Sequence, residues 1–329
     1  MKAMILAAGF GKRLQPLTDL IPKPMMPVLN RPLLTHTLDI LRAAGIHEAV
    51  VNLHHLPQTV VDYFESSRQD DIRLNFLVEE KIMGTGGGIK AAQKFLDDGE
   101  PFVVINSDNL SDVSLNDAIQ FHRQQKALLT LVVRRFGPDE SYRRIEIDAK
   151  GRIVHFLDTE PPGQAALPLT RVMFTGIQIV DPVLFDFIPE NTFCGTTEDI
   201  YPKLIEQGLN VSGYLHEGYW IDAGTRDAYL QTNFDALDGK LPSSQRDATQ
   251  AESSVLIGKE CRIAPDCEIG PHVVLGDGCI VESGVRISRS VCWDGVHLKK
   301  NCQIENCILT SNAEAAEGLQ LQGQTVLPR

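Results

Sequence analysis

Met4-Ile5-Leu6-Ala7-Ala8-Gly9-Phe10-Gly11-Lys12-Arg13-Leu14-Gln15-Pro16-Leu17-Thr18 opens the chain and decides how its first two-thirds is read. Met4–Ala8 is an apolar run of strand length, too brief for a signal peptide and closed off by Lys12 and Arg13. Gly9 and Gly11 follow at once. Glycines after a buried strand allow a tight turn whose backbone N–H groups converge, an arrangement suited to a phosphate. Lys12 and Arg13 place cations beside that turn. Pro22 and Pro24 hold the chain around Lys23 extended, so this lysine can meet an anion with little loss of side-chain freedom. The pattern is not the dinucleotide fingerprint, because the third glycine position is Leu14. It is not a P-loop either, because no G-K-[ST] is present.

Outward from this stretch, short apolar runs alternate with helical periodicity. Strands are expected at Ala49–Leu53, Leu74–Val78, Phe102–Asn106, Leu128–Arg134, Arg144–Ile147, Ile153–Leu157 and Phe174–Val180. Helices are expected from Leu33 to about Leu41, over Ile89–Leu96 and over Thr197–Gln207. Such alternation implies an α/β, Rossmann-like domain with a mostly parallel sheet covered on both faces, and ligands at the carboxyl ends of its strands. This domain is expected to span residues 1–235. Residues 236–253, with Gly239, Pro242, Ser243 and Ser244, read as a polar linker.

Residues 254–329 carry a different rhythm. Val255, Cys261, Cys267, Val273, Cys279, Val285 and Val291 recur every six residues, as do Ile257, Ile263, Ile269, Leu275, Val281 and Ile287. Two in-phase series of this kind predict a parallel β-helix with apolar residues stacked inward. The phase blurs after Val291, and Cys302 with Ile308 is expected to resume it after a one-residue slip. Six of the seven cysteines lie here, with no C-x2-C pair, so they read as small core residues and not as zinc ligands.

The net charge of −12 excludes a nucleic-acid-binding role, which needs a basic face. No apolar run reaches the roughly 18 residues of a membrane helix. The expected compartment is the cytoplasm, with cysteines kept as thiols. Against the global charge, residues 1–31 hold Lys2, Lys12, Arg13, Lys23 and Arg31 against Asp19 alone, a net of +4 that suits a small anionic ligand.

G-x-G-x-R-L-x-P-L-T with P-K-P-M resembles the signature of the sugar-1-phosphate nucleotidyltransferases. The likeness continues in chain order through Gly84-Thr85-Gly86-Gly87-Gly88, Asn106-Ser107-Asp108, Phe174-Thr175-Gly176-Ile177, Thr197-Glu198-Asp199-Ile200-Tyr201-Pro202 and Trp220-Ile221-Asp222-Ala223-Gly224-Thr225. The C-terminal repeats are similar to the left-handed β-helix of hexapeptide-repeat proteins and extend the likeness to the family's guanylyltransferase branch. The resemblance implies attack of a sugar-1-phosphate oxygen on the α-phosphorus of a nucleoside triphosphate, with pyrophosphate leaving. It implies Arg13, Lys23 and Asp108 as catalytic residues, and Asp108 and Asp222 as ligands of Mg²⁺. Leu6, Ala7, Ala8, Gly9, Gly11, Glu79, Gly84 and Thr85 are expected at the nucleotide, and Gly176, Glu198 and Arg171 at the sugar phosphate. The nucleophile is already an anion, so the site must supply alignment and charge neutralisation, and no general base.

Many relatives carry E-K-P in mid-chain. Here the nearest match is Thr159-Glu160-Pro161-Pro162, and Arg171 is the candidate substitute for the lysine. A carboxylate only accepts hydrogen bonds, which suits the N1–H and N2–H₂ edge of guanine, so Glu79 and Glu80 favour GTP. The expected pair is GTP with mannose 1-phosphate. UTP and heptose 1-phosphate are the alternatives. A bifunctional enzyme whose β-helix is an acyltransferase using His272 or His297, and a non-catalytic nucleotide-sugar sensor, are two further readings. Asp222 is also a candidate N-cap of a helix over Thr225–Asp235, as is Thr225, and His54-His55 is read as structural. The β-helix carries no evident chemistry. It is expected to mediate homo-oligomerisation and to help support the catalytic domain, and its removal is expected to leave measurable transfer.

Overall fold

The computed structural model describes residues 1–67, 71–135, 143–163, 167–241 and 254–328. The chain divides into two compact units, Met1–Phe10 with Thr37–Trp220, and Gly11–His36 with Ile221–Arg329. The second unit therefore gathers the Lys23 segment and the β-helix, which lie far apart in sequence.

The first unit is built on a nine-stranded sheet. Its strands are β1 (Ala3–Leu6), β2 (Glu48–Leu53), β3 (Arg73–Val78), β4 (Phe102–Asn106), β5 (Leu129–Arg134), β6 (Ile145–Ile147), β7 (Ile153–Phe156), β8 (Thr170–Val180) and β9 (Val211–Leu215). The main path runs β3-β2-β1-β4-β8-β5-β9, and β6 with β7 forms a hairpin on β8. Along that path only β8 is antiparallel to its neighbours, so the sheet is mostly parallel, as expected. The cause is legible in β1 and β4, which are apolar up to the Asn106 that ends β4 and buried on both faces, with Ala3, Met4, Ile5 and Phe102–Ile105 inaccessible. β8 is longer than expected because it also pairs with the hairpin through Thr170–Val172.

The glycine stretch is a correction to the sequence reading. Gly84–Ala91 is an α-helix, followed after Ala92 by a short turn of helix at Gln93–Leu96. A run of glycines disfavours a helix in isolation. This one forms because its N-terminal turns lie against Cys194, whose carbonyl accepts from Gly86 N (3.0 Å) and whose N–H donates to Met83 O (3.0 Å). A Cβ on Gly84 would stand 2.4 Å from the Cys194 carbonyl oxygen, and one on Gly86 2.8 Å from its sulfur. The expected helix over Thr197–Gln207 is a π-helical turn, Thr196–Ile200, running into Tyr201–Glu206.

In the second unit three parallel sheets stack as a left-handed β-helix. One face is Val255–Ile257, Val273–Leu275, Ser290–Cys292, Ile308–Leu309 and Thr325–Val326. The first coil keeps the expected length, since Val255 lies under Val273. The next does not, since Val273 lies under Ser290. The corner between Ile287 and Cys292 is one residue shorter than the corner between Ile269 and Leu275. Ser290 therefore takes the inward slot expected for Val291, and Cys307 the slot expected for Ile308, while Cys302 stays inward as expected. Cys279, Cys292, Cys302 and Cys307 are buried in this core, and all seven cysteines are thiols. Burial pushes the Cys279 thiol up to about 12 and Cys302 up to about 11, far from the thiolate that a metal would need.

The helix Arg226–Leu237 belongs to this unit and lies on that face of the β-helix. Its Tyr229 hydroxyl accepts from Trp293 Nε1 (3.0 Å), and Arg226 donates to the Asn306 carbonyl. Phe234 lies between His272 (ring centroids 5.2 Å apart) and the Arg289 guanidinium (4.9 Å from the ring). Val274, Val291 and Ile308, one step off the inward series, are buried as well. The helix includes Ala236 and Leu237, which the sequence assigned to the linker; residues 242–253 of that linker lie outside the described residues. No helix among the described residues is long and apolar enough to cross a membrane.

Candidate active site

In the first unit the expected nucleotide loop is framed by buried hydrogen bonds. Ala7 N donates to Asn52 Oδ1 (2.9 Å), Asn52 Nδ2 donates to Glu79 Oε1 (2.7 Å), and Met83 N donates to Glu79 Oε2 (3.0 Å). This chain ties together the carboxyl ends of β1, β2 and β3. Leu6 ends β1, and Ala7 and Ala8 are buried just beyond it. Gly9 is exposed, and a Cβ there would meet nothing within 4 Å. The backbone at Gly9 is thus open to a ligand. His54 is structural as expected, its Nδ1 lying 2.7 Å from the Glu79 carbonyl, with Phe10 set edge-on against its ring.

Glu79 is a correction. It is buried, and each of its oxygens already accepts from the protein itself. The argument that reads guanine through this carboxylate loses its premise. Glu79 holds the loop, and Gly88 must be glycine beside it, since a Cβ would lie 2.7 Å from Asn52 Nδ2 and 2.9 Å from Glu79 Oε1. Thr85 is likewise engaged internally: its Oγ1 accepts from Thr196 N (2.8 Å) and lies 3.0 Å from Thr196 Oγ1.

Asp108 lies in the turn just after β4, at the carboxyl end of a fully buried strand, as expected. Gly176 sits where β8 slips register against β5, at φ +83. A Cβ there would lie 2.4 Å from Asn106 Nδ2 and 2.6 Å from Asn109 Nδ2. The adjacent Thr175 carbonyl accepts from Asn109 Nδ2 (2.5 Å) and Trp220 Nε1 (2.9 Å). Asn109 beyond β4, the β8 bulge and Trp220 therefore meet at one carbonyl. Glu198 is exposed in the π-helical turn and accepts from Thr197 Oγ1 (2.7 Å). Arg171 is exposed on β8, paired across the strands with Glu146. The Arg144 guanidinium first, then the neighbouring His155 and last Arg171, hold the Glu146 carboxyl below its ordinary range. Glu160, in the place of the relatives' lysine segment, bonds His155 Nδ1 at 2.9 Å.

The second unit carries the ionic part. Gly11, at φ +64, accepts from Leu14 N (2.8 Å) and Thr18 Oγ1 (3.1 Å), which fixes the turn bearing Arg13. Lys23 opens a 3-10 turn, Lys23–Met25, between Pro22 and Pro24, and its side chain is 10% exposed. The two cations share one carboxylate. Lys23 Nζ lies 3.2 Å from Asp222 Oδ1, and Arg13 NH2 lies 3.3 Å from Asp222 Oδ2. Gly224 makes room for this cluster, since a Cβ would stand 2.6 Å from Arg13 NH2. Thr225, not Asp222, caps the following helix, its Oγ1 accepting from Ala228 N at 3.2 Å. Asp222 is thereby left to the cations.

Sequence reasoning missed Asn52, Asn106 and Asn109. Asn52 had a visible signal, a polar residue near the carboxyl end of an otherwise apolar strand. Among the described residues no group of three or more His, Cys, Asp or Glu side chains is placed to hold a metal.

Comparison with known proteins agrees with this layout. The nucleotidyl transferase family model matches residues 2–239, and a GMPPB C-terminal domain model matches residues 251–329. The chain belongs to the nucleotidyl transferase family: it is a sugar-1-phosphate nucleotidyltransferase. More particularly, it is 30% identical over 335 residues to mannose-1-phosphate guanylyltransferase 1 of Arabidopsis thaliana, covering 99% of this chain and 91% of that protein. It is 29% identical over 345 residues to the UTP–glucose-1-phosphate uridylyltransferase of a Synechocystis strain, covering 100% of this chain and 88% of that one. In fold it is similar to HddC from Yersinia pseudotuberculosis, with TM-score 0.59 and 21% identity, over 70% of this chain and 97% of that chain.

Proposed function

We propose that the chain transfers a guanylyl group from GTP to mannose 1-phosphate, releasing pyrophosphate and forming a nucleotide sugar. The observation that carries the transfer chemistry is the Arg13–Asp222–Lys23 cluster. Two cations and a carboxylate, fixed by proline and glycine turns, are what the reaction of two mutually repelling anions requires. The choice of GTP and mannose 1-phosphate rests on the names of the full-length relatives, since Glu79 is taken up by the frame and only the exposed Glu80 is left of the carboxylate argument.

In this reading Leu6–Gly9 and Gly11 present backbone to the nucleotide, while Glu79, Gly84 and Thr85 hold the frame around it. Arg13 neutralises the triphosphate, and Lys23 the phosphates that exchange partners. Gly176, Glu198 and Arg171 face the sugar phosphate, with Arg171 in place of the relatives' lysine. Asp108 and Asp222 would hold Mg²⁺. The donor set fits, because Mg²⁺ takes few carboxylates and completes its shell with phosphate oxygens and water. Among the described residues the two oxygens of Asp222 are met by the side-chain cations of Arg13 and Lys23, which an ion and its phosphates can displace. When bound, the ion supplies charge neutralisation on the triphosphate. The enzyme is read as a cytoplasmic homo-oligomer.

The test is pyrophosphate release from five nucleoside triphosphates against a panel of sugar 1-phosphates. GTP with mannose 1-phosphate is expected to be fastest. A preference for UTP with glucose 1-phosphate would move the chain to the uridylyl reaction. No release from any pair would overturn the reading.

A further inference from the structure

The Lys23 segment is seated on the β-helix, within the second unit, by contacts that an inert appendage does not need. Four residues after Lys23 the chain forms a tight hairpin, Pro27–Val28 with Arg31–Pro32. Its two turn residues, Leu29 and Asn30, lie at φ +49 and +59. This is the geometry of a type I′ turn, for which asparagine is suited and leucine is not. A leucine held in the left-handed region is strained and persists only where its surroundings over-determine it.

Leu29 is buried, and its N–H donates to Asn233 Oδ1 (3.1 Å) on the helix that lies on the β-helix. Asn30 Nδ2 donates to the carbonyl of Leu275 (2.8 Å), an inward-facing residue of the second coil. The Tyr229 hydroxyl donates to the Pro27 carbonyl (2.5 Å) and accepts from Trp293 Nε1 (3.0 Å) on the following coil. On the other side of the hairpin, Leu33 N donates to Met26 O (3.0 Å) and Met26 N to Lys23 O (3.1 Å). A continuous set of hydrogen bonds therefore leads from the coils at Leu275 and Trp293 to the backbone of Lys23.

We propose that the β-helix positions Lys23 for the reaction, with Asn30, Tyr229 and Trp293 as positioning residues that hold the Pro27–Pro32 hairpin against its coils. This rests on the transfer reading above for its kinetic arm only. It gives a residue-level form to the expectation that the β-helix helps support the catalytic domain. A strained turn held by partners from a helix and a coil of the β-helix trades stability for a fixed ammonium position, and small misplacements of a charge aligned with the reacting phosphates are costly in rate.

The test uses point variants in the full-length chain. Asn30→Gly keeps the turn conformation and deletes the bond to Leu275; Tyr229→Phe deletes both bonds of its hydroxyl without adding volume. Each is expected to lower kcat about tenfold, on the scale of one or two hydrogen bonds, with the KM for nucleotide changed less than about twofold. In a Lys23→Ala background the same substitutions should lower kcat no further, because the group they position is gone. Equal falls in both backgrounds, or an unchanged kcat, would overturn the proposal. Hydrogen exchange supplies a readout independent of turnover. The amides of Pro22–Leu33 should exchange faster in both variants while those of β1 and β4 do not change; unchanged exchange at Pro22–Leu33 would overturn the proposal even if no substrate pair had been found.

Discussion

Two glycine-rich stretches look alike in the sequence and do opposite work in the structure. At Gly9 the space that a side chain would enter is empty. At Gly84–Gly88 the same space is filled by Cys194, Thr192, Met83, Asn52 and Glu79. The first is open, as the proposed approach of a nucleotide to its backbone would require; the second is closed because the protein itself has come close. Glycine reports close approach in both cases, and only the neighbours say of what. The contrast extends beyond glycine. Glu79 and Thr85 belong to the filled, hydrogen-bonded frame, whereas Arg13, Lys23 and Asp222 form an ionic cluster whose partners are side chains that a ligand can displace.

If this division is right, substitutions on the open side should lose turnover at an intact fold, and those in the frame should lose stability. The largest effect is expected for Asp222→Asn. It should reduce turnover on the order of a thousand-fold, about 4 kcal/mol of transition-state stabilisation, with the melting temperature close to that of the parent. Near-parental turnover at saturating Mg²⁺ would remove Asp222 from the site. Next comes Gly84→Ala. A Cβ 2.4 Å from the Cys194 carbonyl, at φ +74, should cost about 3 kcal/mol of stability through strain and overpacking. Urea unfolding measures it, and an unchanged midpoint would show that the helix start can relax.

Two buried histidines away from both glycine stretches should show themselves in pH. Burial lowers His36 and His122 from the ordinary 6.5 to about 4 each. Above pH 6.5 both are neutral, folded or unfolded, and contribute nothing. Between 6.5 and 4 the unfolded chain takes up protons that the folded chain refuses, so stability falls as the pH drops. For His36 the loss from pH 7 to 5 is about 2 kcal/mol. Denaturation midpoints at pH 7 and 5 check it, and a His36→Gln chain should show a shallower fall. The smallest effect is expected at Gly9→Ala. Stability should stay within about 0.5 kcal/mol, while KM for the nucleotide rises several-fold. A destabilised Gly9→Ala chain would erase the contrast from which these expectations start.

The architecture was legible because its signals are periodic. β1 and β4 read as buried strands from their unbroken apolar runs, and six-residue recurrences gave the β-helix through Ile287. Beyond that, one missing residue at the corner shifted the pattern, so that Ser290 and Val291 exchanged expected roles; a spacing rule carries no information about a shortened corner. The ionic residues were legible because cations flanked by proline and glycine are unusual. Glu79 was misread because its chemistry was judged alone. Whether a carboxylate faces a ligand or an asparagine depends on a strand 27 residues upstream. The seat of the Lys23 hairpin was invisible for the same reason, since it joins Asn30 to a carbonyl 245 residues away.

The chain's two tryptophans fall one in each unit, which gives the molecule a pair of optical reporters. Trp220 lies in the first unit, bonded to the Thr175 carbonyl, with the Arg134 guanidinium 4.9 Å from its ring. Trp293 is nearly inaccessible in the second, bonded to Tyr229. A neighbouring cation and a buried phenol give the two indoles different emission environments. Replacing either by phenylalanine leaves a single emitter whose colour follows one unit as the chain is denatured. Coincident transitions would mean that sheet and β-helix melt as one cooperative body, and separate ones that each keeps a free energy of its own.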